Sequence, residues 1–155
     1  MDKRRIYQPV IESLLSAFGE RLKTVVLFGS QARSEYVLER DHDIFTVIDD
    51  LPRNPLRRLK EIRKTIFDIP RQINFIAKTP REVEVNLTPL MLEICVDGIC
   101  LYGENYFENY RQRGLETLKQ SNLKRKRIGR EWYWQFEKAP QNHWELTWDG
   151  FHELP

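Results

Sequence analysis

The chain has 155 residues, 41% of them hydrophobic and 31% charged, which fits one ordinary globular domain and excludes a disordered segment. No run approaches the roughly 18 consecutive apolar residues that a membrane span needs, and Met1-Asp2-Lys3-Arg4-Arg5 leads into an interrupted pattern, unlike the apolar stretch of a secretory signal. The net charge of +2 hides one local imbalance: between Arg111 and Arg130 stand eight basic residues and a single acid, Glu116.

In chain order, Ile6, Val10, Leu14, Leu15 and Phe18 fall at helical spacing, with Gly19 as a stop. Thr24-Val25-Val26-Leu27-Phe28 reads as a strand that ends abruptly in Gly29-Ser30, and Gln31-Ala32-Arg33 suits a first helical turn. Ile44-Phe45-Thr46-Val47-Ile48 is apolar on both faces and predicts a central strand. Asp49 to Pro55 is a loop by composition, and Leu56, Leu59, Ile62, Ile66 and Phe67 predict a helix with a basic outer face. A third strand covers Gln72 to Ala77, with Ile73 and Phe75 on one face and Gln72, Asn74 and Ile76 on the other. Thr79-Pro80-Arg81-Glu82 carries a helix-start pattern with Pro at the first helical position. Pro89 to Val96 predicts a buried helix ended by Asp97-Gly98, and Ile99-Cys100-Leu101-Tyr102-Gly103 reads equally as a closing strand or a helix tail. Helix and strand alternate as in an α/β domain.

After Gly103 one more helix is outlined by Tyr106, Phe107, Tyr110, Leu115 and Leu118. Beyond it the chain turns basic, then aromatic, with no clear element; all four tryptophans, 132, 134, 144 and 148, lie there. Lys124-Arg125-Lys126-Arg127 followed by Trp132, Tyr133, Trp134 and Phe136 could serve a nucleic-acid surface, since cations meet phosphates and rings stack on bases. Packing onto the core or a second subunit is the stronger expectation, because exposing so many indoles would leave a large apolar patch. Cys95 and Cys100 match no zinc spacing and read as buried small hydrophobes in a reducing cytoplasm.

One constellation carries chemistry. Gly29-Ser30 closes the first strand, ten residues intervene, and Asp41-His42-Asp43 opens the second. Gly29 permits a tight turn with close backbone approach to a ligand. Ser30 and Arg33 flank the start of the following turn, where an anion would be held. Asp41 and Asp43, two apart on extended chain, project to one side and offer hard oxygen ligands that suit Mg²⁺. Phosphate cradle and metal pair together fit phosphoryl or nucleotidyl transfer.

Gly29-Ser30, ten residues and Asp-x-Asp resemble the signature of the minimal nucleotidyltransferases, the smallest members of the DNA polymerase β superfamily. Gly29-Ser30-Gln31-Ala32-Arg33 is similar to that family's Gly-Ser-x-Ala-Arg form, and Leu101-Tyr102-Gly103 to its common close. The resemblance implies a small mixed sheet flanked by helices over residues 1–103, with 104–155 as a basic and aromatic extension. It implies transfer of a nucleoside monophosphate, usually AMP from ATP, with Mg²⁺ on Asp41 and Asp43 and triphosphate on Ser30. Small proteins of this type often pair with a helical partner as antitoxin and toxin. Three positions depart from the pattern: Arg40 before the first Asp, His42 between the two, and Asn74 where the third strand would carry another carboxylate. An amide is no general base. The alternative reading is therefore a catalytically weak or inactive binding protein whose extension meets a protein partner or RNA.

Overall fold

The structure, a computed structural model, describes residues 2–33, 41–66 and 72–154. Its centre is a four-stranded mixed sheet of β1 (Leu22–Phe28), β2 (His42–Ile48), β3 (Ile73–Lys78) and β4 (Ile99–Tyr102), in the order β3-β2-β1-β4. β1 runs antiparallel to both β2 and β4, while β2 and β3 are parallel. A parallel pair needs a crossover; α3 (Pro55–Thr65) supplies it, capped by Asn54, whose side chain accepts from the amides of Leu56 and Arg57. The segment over 99–102, left open between strand and helix tail, is β4. Tyr102 is its last residue, and Gly103 follows at φ +76° with Lys23 O too close to admit a side chain.

Period-2 alternation in β1 sends Val25 and Leu27 into one core and Val26 and Phe28 into the other. The first core lies under α3 and α2 (Gln8–Phe18), which follows a short α1 (Lys3–Ile6); it takes Tyr7, Val10, Leu14, Ile62, Ile73 and Phe75. The single helix expected over 6–18 is thus broken at Tyr7, because Pro9 can stand only in the first turn of α2. The second core lies under α4 (Pro80–Val85), α5 (Pro89–Asp97) and α6 (Glu104–Ser121). The helix-start pattern at Thr79 is a full capping box, with Thr79 and Glu82 each accepting from the other's amide. As expected, β2 is interior to the sheet and covered on both faces, with Ile44 and Ile48 fully buried and Phe45 nearly so.

The stretch that showed no clear element is two hairpins. β5 (Leu123–Ile128) pairs with β6 (Glu131–Phe136), and β7 (His143–Thr147) with β8 (Gly150–Leu154). Gly129, at φ +61°, opens the two-residue turn of the first. Only one face of each hairpin meets the body, so its strands carry charges on the other and lack the apolar runs that mark buried strands.

Candidate nucleotide site

The site lies where β1 ends and β2 begins. After Phe28 the backbone turns at Gly29, φ +73°, into one 3-10 turn spanning Gly29–Gln31. A Cβ at Gly29 would stand 2.5 Å from an Asp43 carboxylate oxygen, so glycine is needed for conformation and for space alike. Ser30 and Gln31 are buried, and the Ala32 and Arg33 amides close on the Gly29 carbonyl at 3.1 and 3.2 Å. The described part of this turn ends at Arg33. Arg40, one of the three departures from the family pattern, lies outside the described residues.

Asp43 pairs across β1 with Phe28 and across β3 with Asn74. That parallel register brings the third-strand amide to the acid pair. Asn74 Nδ2 donates to Asp41 Oδ2 at 2.9 Å and to Asp43 Oδ1 at 3.4 Å. Asp41, Asp43 and Asn74 therefore converge on one side of the strand ends, with Gly29 against Asp43. His42, on the alternate side, meets the buried Tyr7, whose hydroxyl is 2.5 Å from Nδ1. Burial pushes the Asp43 carboxyl above its usual range, and Asp41 and Glu93 add to the rise; the Asn74 amide and Arg33 oppose it. A half-buried carboxylate held beside a second one is a donor set that a hard divalent cation would relieve. Among the described residues no group of three or more His, Cys, Asp and Glu is placed to hold a metal; the third member of this set is an amide.

Arg33 is ion-paired with α5. Its Nη1 contacts Glu93 at 2.8 Å and Asp97 at 3.5 Å, both on α5. Asp97 is shared with Arg125 of β5, which reaches it through both guanidinium nitrogens. Trp132 of β6 lies under Arg33, Arg125 and Arg127, whose guanidinium carbons are 5.9, 4.4 and 5.1 Å from the ring centroid. In the sequence Arg125 and Trp132 belong to the extension over 104–155, and Tyr7 carries no signal that it meets His42. Register alone could have shown Arg125 and Arg127 sharing a face with Trp134 and Trp132, once the Gly129-Arg130 turn was recognised.

No family model matches the sequence. A protein of Methanocaldococcus jannaschii named as a candidate protein adenylyltransferase is 26% identical over 120 residues, covering 74% of this chain and 82% of its own. Among solved structures, a chain of a toxin–antitoxin crystallised with AMP-PNP is 17% identical with a TM-score of 0.56, covering 72% of this chain and 86% of that one. A chain from a complex of a tri-AMPylated HEPN toxin with its MNT antitoxin, from Shewanella oneidensis, is 16% identical with a TM-score of 0.50, over 75% and 87%. The mixed sheet flanked by helices is thus the nucleotidyltransferase fold, as the family resemblance carried by Gly29-Ser30 and Asp41-His42-Asp43 implied. Sequence and fold both set the chain beside the nucleotidyltransferases.

Proposed function

We propose that this chain is a nucleotidyltransferase that moves AMP from ATP to a protein acceptor, with Mg²⁺ at Asp41 and Asp43. The observation that carries the reading is the convergence of Asp41, Asp43 and Asn74 beside the Gly29 turn. An acceptor oxygen would attack the α-phosphorus, forming a P–O bond as the bond to pyrophosphate breaks and pyrophosphate departs. Gly29 and Ser30 bind the triphosphate, and Asp41 and Asp43 hold the cation. When bound, that ion supplies charge neutralisation at the phosphates. Asn74 stands where a third carboxylate would take the acceptor's proton, so that proton goes to another group of the chain, to the acceptor itself or to solvent. A protein acceptor is favoured by the M. jannaschii relative's name and by the AMPylated toxin held by a protein of the same fold.

A second reading, a nucleotide-binding partner protein with little turnover, is favoured by Asn74 alone. Calorimetry with ATP and Mg²⁺ together with a labelled-ATP transfer assay separates the two. Asp43→Asn is expected to abolish Mg²⁺-dependent ATP binding with the fold intact; unchanged binding would remove Asp43 from the site. Asn74→Asp is expected to raise transfer by on the order of 10²-fold, the effect of a restored base. A fully active parent that Asn74→Asp does not improve would show that the vacancy is elsewhere.

A further inference from the structure

The β5–β6 hairpin does more than cover the body, because its inward face is joined to the Gly29 turn through Asp97 and Arg33. Arg125 and Arg127 stand opposite Trp134 and Trp132, so all four side chains share one face. Asp97 joins Arg125 to Arg33, and Arg33 follows the Gly29-Ser30 turn directly, its amide bound to Gly29 O. Hairpin and turn are thereby tied through buried charge, with Asp97 and Arg33 side chains only 13% and 14% exposed. Arg127 completes the ring around Trp132, is solvent-exposed, and is oriented by its own bond to Gly129 O at 2.9 Å. The indole Nε1 of Trp132 is buried and has no acceptor among the described residues. Arg33 and Arg125 are already paired with Glu93 and Asp97, but the Trp132 donor is open, and an anion that reached it would also lie beside the exposed Arg127.

We propose that Arg127 and Trp132, supported by Arg125, bind the pyrophosphate portion of the nucleoside triphosphate and hold it as it leaves. This rests on the nucleotidyltransferase reading above. Within it, the hairpin is the wall of the site on the side of Arg33, and Arg127 contributes charge that neutral side chains there could not. The bond broken lies between the α-phosphorus and the bridging oxygen; the departing group carries the negative charge that these cations meet.

The test uses the full chain and three probes with Mg²⁺: inorganic pyrophosphate, ATP and AMP, each titrated by calorimetry. Arg127→Gln is expected to weaken pyrophosphate and ATP by about tenfold, the loss of one charge-assisted hydrogen bond, and to leave AMP unchanged. Arg127→Lys should recover part of the loss. Trp132→Phe keeps the ring and removes the N–H, and should weaken pyrophosphate by a smaller factor. Unchanged pyrophosphate affinity in Arg127→Gln, or an equal loss for AMP, would overturn the assignment. A parent that binds ATP but not pyrophosphate also overturns it while leaving the nucleotidyltransferase reading intact; a parent that binds neither defeats both.

Discussion

The four-stranded sheet and the C-terminal hairpins are held in opposite ways. In the sheet, β1 and β2 are covered on both faces by helices, and Val25, Val26, Leu27 and Ile44 are fully buried. Their stability comes from apolar area removed from water. The hairpins are two-stranded and have one open face, an arrangement that is marginal by itself. They are fastened at a few points: the guanidiniums on Trp132, the Asp97 pair, and Trp148. Trp148 is 4% exposed and donates from Nε1 to Val83 O at 2.6 Å. The sheet therefore fixes where the acid pair stands, while the first hairpin is joined to the turn beside it through Arg125, Asp97 and Arg33.

The sharpest break of that division is Trp148→Ala. The ring packs in the second core against Tyr110, with centroids 4.9 Å apart at 70°. Removing it is expected to cost about 3–5 kcal/mol, read by urea denaturation, with amide exchange in β7 and β8 rising first. A loss below about 1 kcal/mol would mean that the hairpin is held by something other than this anchor.

Gly114→Val probes the same junction from α6. A Cβ at Gly114 would meet Cys95 Sγ at 2.6 Å and Trp148 Cζ3 at 3.3 Å, and Cys95 is fully buried with nowhere to retreat. Overpacking is expected to cost about 2 kcal/mol, seen as a lower denaturation midpoint. Burial also pushes the Cys95 thiol up to about 12, so opening of this junction should appear as new reactivity toward a thiol reagent at pH 8. A variant as stable as the parent, with Cys95 still protected, would show that α5 and α6 have slack.

The same contrast explains what the sequence could tell. Val25 to Phe28 and Ile44 to Ile48 announced themselves because a strand buried on both sides must be apolar throughout. Gly29, Asp41, Asp43 and Asn74 could be placed because they sit at the ends of such strands, where register follows from pattern. Arg33 pointed to phosphate by motif, yet its ion pairs with Glu93 and Asp97 depend on α5, some sixty residues away. Nothing local encodes them. The hairpins give no such signal because a basic block followed by an aromatic cluster, as over Lys124–Phe136, has no strand periodicity, and only the Gly129 and Gly150 turns mark them as β-structure.

The gentlest test concerns the ion cluster that pins the β7–β8 turn, and its pH dependence has a definite sign. Arg113 binds Glu84 through Nη2 at 2.9 Å and Nη1 at 3.2 Å, and also faces Asp149 at 3.5 Å; Tyr110 donates its hydroxyl to Glu84 at 2.6 Å. Hydrogen bonds from Arg113 first, then Tyr110, hold the Glu84 carboxyl below its ordinary value. A carboxylate lowered in the folded state contributes stability that is complete above its unfolded value near 4.5 and lost as pH falls through the folded one. Because Glu84 is about half exposed, solvent screening keeps the contribution under about 1 kcal/mol. Melting temperature should therefore fall more steeply for the parent than for Glu84→Gln between pH 5 and pH 3, with the two curves converging at the acid end. At pH 7 the parent should be the more stable by a small margin. Parallel curves would mean that Glu84 is as well solvated in the folded chain as in the unfolded one. The turn of β7–β8 would then be held mainly by Trp148 and by its neutral hydrogen bonds to Thr117 and Gln120, and the contrast between an apolar scaffold and charge-fastened hairpins would narrow to the first of them, around Trp132.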